Sequence, residues 1–195
     1  SSTARLTVGA GAVAVGTSII SSLRPAADAA SDLNEAVAYG ETVFGESFAA
    51  VDKFATGAAE KIGQSRREAI AGATDFATLG KAAGLAGDDL AGFSTDLVTL
   101  ASDLASARNT STADAIQAIS AGLRGESEPL RRYGVLLDDA TLRQEALGLG
   151  IIKTTKDALT PQQKVLAAQS AIFKQTSDAQ GDFARTSDGL ANRTK

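Results

Sequence analysis

Apolar residues along most of this chain recur at steps of three and four. Leu90, Phe93, Leu97, Leu100 and Leu104 form a narrow heptad-like seam. Ile116, Ile119 and Leu123 continue the pattern, and Val165, Ala168, Ile172 and Thr176 repeat it near the end. Phe44, Phe48, Val51 and Ala55 make an earlier stripe, although Gly45 weakens its continuity. The spacing predicts helices over 3–23, 32–44, 47–62, 66–82, 88–107, 112–123 and 161–179, with short helical turns at 127–132 and 139–148.

Helix starts are punctuated by side chains that can cap a helix. Ser65-Arg66-Arg67-Glu68 is a capping box: the hydroxyl accepts from the third helical N–H, and the carboxylate reaches back to the cap. Thr160-Pro161-Gln162-Gln163 has the same logic, with Pro where no N–H is needed. Ser111 to Asp114 is a weaker version, and Asp32 with Glu35 reads as a fourth. Pro25 is expected to end the first helix or follow it. Two runs favour strand: Tyr133 to Asp139 and Ile151 to Thr155, which would pair as a two-stranded ribbon around the 139–148 turn. The expected fold is therefore mainly α, a multi-helix module of about seven helices with a short β ribbon.

Composition narrows the chemistry. The 195 residues include no Cys, His, Met or Trp. A Ser-His-Asp triad, a thiol nucleophile, a disulfide framework and the usual zinc, haem or iron–sulfur ligand sets are all excluded. A chain lacking Met also reads as part of something longer or processed. Aromatics are 5% and Ala is abundant, so helices should pack closely and bury little area each. The net charge of −4 argues against a general nucleic-acid binder. Residues 6–20, LTVGAGAVAVGTSII, are apolar but fall short of the roughly 20 residues a spanning helix needs. They read as a close-packing helix. The sharper alternative is a membrane-active segment, with Val8, Val13, Val15 and Ile19 as contact candidates.

The candidate chemical constellations are weak. Glu126 and Glu128 could serve as the carboxylate pair of a wall-degrading glycosidase only if they faced each other across a cleft. Local neighbours beside Arg131 and Arg132 read more simply as a helix-start cluster with ion pairs. Asp138-Asp139 has the same reading. Gly9-x-Gly11 lacks the context of a dinucleotide fingerprint. No cofactor is expected, and a structural or interaction role is favoured over catalysis.

Two longer phrases are more specific. Residues 122–142 read GLRGESEPLRRYGVLLDDATL, and residues 160–193 read TPQQKVLAAQSAIFKQTSDAQGDFARTSDGLANR. With LVTLASDLASARNTSTAD at 97–114 and ASDLN at 30–34, they resemble the conserved N-terminal helical module of tail tape measure proteins of long-tailed bacteriophages. The resemblance covers roughly residues 28–195. It implies a virion structural protein that acts as a ruler: an extended helical chain inside the tail tube, rising about 1.5 Å per residue, sets tail length and leaves ahead of the DNA. The many caps mean this segment is a compact piece of such a ruler rather than a rod.

The resemblance implies as partners the tail tube protein, distal tail or hub proteins at the tip, and tail assembly chaperones. It implies self-association, with three copies favoured, so the seam Leu90, Phe93, Leu97, Leu100 and Leu104 could pack between chains. Host-membrane contact during ejection is a further implication, and sequence-specific nucleic-acid binding is not. The expected location is the virion, inside the tube or at the tip, and the host cytoplasm during assembly. The expected organisation is a Gly/Ala-rich lead at 1–27, a compact module at 28–180 and an exit helix starting at 181–195. Glu126, Glu128, Arg131, Arg132, Asp182, Phe183 and Arg185 are the structural hotspots, with either Glu paired to Arg131 or Arg132, Asp182 capping the last helix and Phe183 anchoring it. The competing reading is a membrane-active helical protein, a pore-former or effector.

Overall fold

The computed structural model describes the backbone of residues 11–193 and the side chains of residues 26–187. Within them the chain is mainly helical: α1 (Gly11–Phe44), α2 (Phe48–Thr56), α3 (Ala58–Ile62), α4 (Arg66–Ala82), α5 (Gly87–Arg108), α6 (Thr112–Leu123), α7 (Asp139–Gly148), α8 (Pro161–Gln175) and α9 (Asp182–Arg193). Two 3-10 turns, Gly45–Ser47 and Glu128–Tyr133, complete the order.

α5 is the central helix. Every residue from Leu97 to Ala105 except Thr99 is buried, so this helix is enclosed on nearly all sides rather than along one seam. α4 packs against it most extensively, with α6 on another side and α2 near its start. Leu90, Phe93, Leu97, Leu100 and Leu104 are all within this single-chain core. The seam is thus occupied by α4, α2 and α6, which leaves it no surface to offer a neighbouring chain in this fold. The stripe Phe44, Phe48, Val51 and Ala55 is buried in the same core.

Small residues set how close the helices come. A Cβ on Gly72 would lie 3.0 Å from Ile116 and 3.1 Å from Val98, so this glycine lets α4 meet α5 and α6 at one crossing. A Cβ on Gly80 would lie 2.6 Å from Leu90, and one on Gly122 would overlap Leu130. At the first corner Gly45 adopts φ +57, a left-handed conformation that glycine takes without penalty, and Phe48 folds back over Gly40.

Three of the expected caps are formed. Ser65 accepts from Glu68 N–H within a full capping box, Thr160 and Gln163 form another with Pro161 at the first position, and Ser111 accepts from Asp114 N–H. Other expectations need correction. α1 runs unbroken through Pro25 and across the 27/28 boundary, so the segments expected at 3–23 and 32–44 are one helix over the described residues. Proline costs about 3 kcal/mol in a helix interior, but four alanines follow within five residues and alanine is the strongest helix former. Asp32 and Glu35 therefore sit inside α1 and cap nothing. The 47–62 helix breaks at Gly57, and α8 stops at Gln175.

No strand occurs among the described residues, and the ribbon is absent. Its first arm is an extended loop whose partner is a side chain: the Gln175 amide accepts from Leu136 N–H at 2.8 Å and donates to Leu136 C=O at 3.0 Å. One amide thus supplies the hydrogen bonds that a paired strand would supply. The second arm is a loop ordered by Asp157, which accepts from the Lys153 and Thr154 N–H groups at 3.3 Å each.

Candidate functional site

The Gly122–Gly134 segment holds four of the seven hotspots nominated from the sequence, Glu126, Glu128, Arg131 and Arg132. Leu130 and Tyr133 are buried and anchor the turn to α6, whereas its charges face solvent. Glu128 pairs with Arg131 at 3.2 Å, as expected. Glu126 instead approaches Arg124 at 3.7 Å, not Arg131 or Arg132, because the chain leaves α6 through Gly125 at φ +99 and turns Glu126 back toward the helix end. Arg132 reaches Asp114 on α6 at 3.9 Å and lies 4.9 Å over the Tyr133 ring. The Tyr133 hydroxyl meets Thr110 Oγ1 at 3.0 Å. The side chains of Glu126 and Glu128 are 68% and 79% exposed, each beside its own arginine, which is the geometry of a solvated turn and not of a carboxylate pair across a cleft.

The exit segment is built differently. Asp182 occupies the first position of α9 and lies 3.4 Å from Arg185, but it is not the cap. The capping carboxylate comes from α5: Asp103 accepts from Gly181 N–H at 2.8 Å and from Phe183 N–H at 3.2 Å. Asp103 is 5% exposed, so a buried charge is satisfied by the amides of a helix start 78 residues away. Phe183 does anchor the segment, with its ring against Gly63, where a Cβ would lie 2.5 Å away. Gln64 Nε2 donates to Ser102 Oγ at 2.6 Å beside this cap, making a buried polar seam between the α3–α4 corner and α5.

A groove of about 850 Å³ lies between α4 and α6. Both helices pack on α5, and they meet where Ile116 of α6 lies against Gly72 of α4. Ala71, Leu79 and Ile116 supply an apolar lining, and Arg67, Asp75 and Arg124 supply charge. Asp75 is exposed, and partial desolvation beside the groove wall pushes its carboxyl above its ordinary value. Gly63 and Gln64 lie at the end shared with the exit segment. Sequence reading missed the groove and Asp103; the one local hint for Asp103 was an acid set between Leu100 and Leu104 in a run that proves buried.

Among the described residues no group of three or more Asp or Glu is placed to hold a metal ion. No helix among them is long and apolar enough to cross a membrane. Val8 lies outside the described residues, and the side chains of Val13, Val15 and Ile19 lie outside them too. No family model, curated protein or solved structure matches the chain.

Proposed function

We propose that this chain is a helical module of a phage tail tape measure protein, part of the ruler that sets tail length during tube assembly and is released at DNA ejection. The observation that carries the reading is the linear resemblance of residues 122–142 and 160–193 to that family. The mainly helical fold, with charges of the 122–134 turn paired locally and facing solvent, is consistent with a structural role. In this reading the compact bundle is one station along a much longer chain, and α9 leads into the rest of it. The tail tube protein, the tip proteins and the assembly chaperones would be its partners, and several copies would share the lumen.

Gold-labelled antibody raised against residues 28–195 tests this on purified particles, intact and after mild tail disruption. Label confined to tails or tail tips, strengthening on disruption, is the expected result. Antigen found only in the soluble lysate or the host membrane would discard the ruler and favour the membrane-active reading.

A further inference from the structure

We propose that the segment from Ser177 through α9 is a strap, a separately releasable unit latched to the bundle near its own start, whose release takes the Phe183 ring off the Gly63–Gln64 corner at the end of the α4–α6 groove. The inference rests on geometry and does not depend on the tail reading.

The latch has two parts. The buried Asp103 carboxylate holds the Gly181 and Phe183 amides, and the Phe183 ring packs against Gly63, which stays exposed beside it. Charge-assisted bonds from a buried carboxylate to a helix start are among the stronger polar contacts available. Among the described side chains of the strap, Ala179 also packs on the main core, whereas Ala184, Arg185 and Thr186 are exposed; α9 packs chiefly on α5 and α3.

The strap is also internally stapled. Arg185 donates to the Gln180 carbonyl at 2.8 Å and the Asp178 carbonyl at 3.4 Å, and it pairs with Asp182. These bonds lie within the strap and survive its release, so it can leave as a preformed unit. Its ties to α8 are the buried Thr176 and the bond from Gln180 Nε2 to the Phe173 carbonyl at 2.7 Å, which places the pivot at the end of α8. A cooperative unit with few apolar contacts and a small set of anchors opens ahead of the global fold. The corner it packs on matters because Gly63 and Gln64 also line the groove. Whatever enters that end of the groove meets the residues that seat the latch.

Hydrogen exchange read by mass spectrometry on the full chain tests this, comparing the parent with Asp103→Asn and Phe183→Ala. Asp103→Asn keeps the shape and removes the charge. Phe183→Ala acts on the other half of the latch, at a partly exposed ring outside the main core, and so reads the proposal independently if the first variant folds poorly. In both, amides across 178–187 and at Gly63 and Gln64 should exchange about tenfold faster or more, while those of α4 and the first half of α5 stay at the parent rate. Unchanged exchange in the strap would overturn the proposal. So would acceleration equal to that of α4 and α5, because the strap would then open only with the whole fold. Acceleration in Phe183→Ala alone would remove Asp103 from the latch.

Discussion

The bundle around α5 and the α7–α8 pair meet the same need, holding short helices together, with different physics. Around α5 the closure is apolar and close. Ile70, Phe76, Leu97, Leu100, Leu104 and Ile119 are essentially without solvent contact, and glycines at the crossings bring the helices together. α7 packs chiefly on α8, over a small cluster of Ala146, Ile152 and Ala167. What that cluster lacks in area is supplied by polar bonds. Glu145 takes Lys174 at 2.7 Å and Ser170 at 2.9 Å, and Arg143 reaches Asp139 at 2.7 Å and the Thr155 carbonyl at 3.2 Å. α8 serves both regions, turning Val165, Ala168 and Ile172 to the main core and Ala167 to the small one. The difference teaches where the molecule should open first. A region closed by area yields only with the whole fold, and one closed by a few polar bonds can yield alone.

Truncation separates the two most sharply. Phe76→Ala removes a fully buried ring from the main core and should cost about 3–5 kcal/mol, with a large drop in melting temperature and loss of protection throughout. Ile152→Ala, in the small cluster, should cost nearer 2 kcal/mol because a thin edge can collapse into the gap. Its exchange signature should stay within residues 139–160. Equal melting shifts and equally global exchange would show that the two regions are one cooperative unit.

The glycines give a smaller contrast within the main core. At Gly122 an added Cβ would overlap Leu130, so Gly122→Ala should destabilise by about 1–3 kcal/mol through overpacking. Gly92 lies in α5 with nothing near the position a Cβ would take, and Gly92→Ala should stabilise by about 0.5–1 kcal/mol through helix propensity alone. Thermal melts of the two variants should move in opposite directions. The same sign in both would mean that the close crossing at Leu130 does not constrain the core.

Much of this organisation was legible locally. α4, α6 and α7 have the boundaries that their periodicity predicts, because Ser65, Ser111 and Asp138 cap them with side chains from their own sequence. What was not legible depends on distant partners. Leu136 looks like strand and is satisfied by the Gln175 amide across 39 residues. Pro25 looks like a terminator and lies within a continuous helix. Asp103 sits between Leu100 and Leu104 on α5, and its role shows only in the helix it caps far along the chain. The groove has no sequence signal at all, since it is the space left when α4 and α6 share α5. The charges of the 122–134 turn are solvated, and the partner of Glu126 depends on the direction the chain takes at Gly125.

Acid should act with opposite sign through two carboxylates, Glu145 between α7 and α8 and Asp75 on the groove wall. Glu145 is held below its ordinary 4.5 first by its bond from Lys174, and also by Ser170, against some desolvation. A depressed carboxylate contributes stability above its unfolded value, and that contribution is lost as pH falls through the lower folded value. The α7–α8 pair should therefore loosen below about pH 4.5, seen as faster exchange in residues 149–160. Lys174 is 63% exposed, so solvent screens the pair and the contribution is about 1 kcal/mol or less. Glu145→Gln should be loose at neutral pH and change little on acidification. A parent protein equally flat across that range would mean the ion pair does not close this region.

On the groove wall Asp75 gives the reverse case and the smallest effect. Partial desolvation alone raises its carboxyl above the ordinary 3.8, so the folded chain holds that proton more tightly than the unfolded chain does. The charged form is then a slight penalty on folding at neutral pH, and the penalty disappears once pH falls below the ordinary value. Asp75→Asn should raise the melting temperature slightly at pH 7, and the gain should shrink to nothing as pH drops through the range just above 3.8. Asp96 on α5 shifts in the same direction for the same reason, so only the difference between parent and variant isolates the groove. A gain that persists into acid would mean the side chain's shape, not its charge, is what the α4 wall resists, and the contrast in sign with Glu145 would fall.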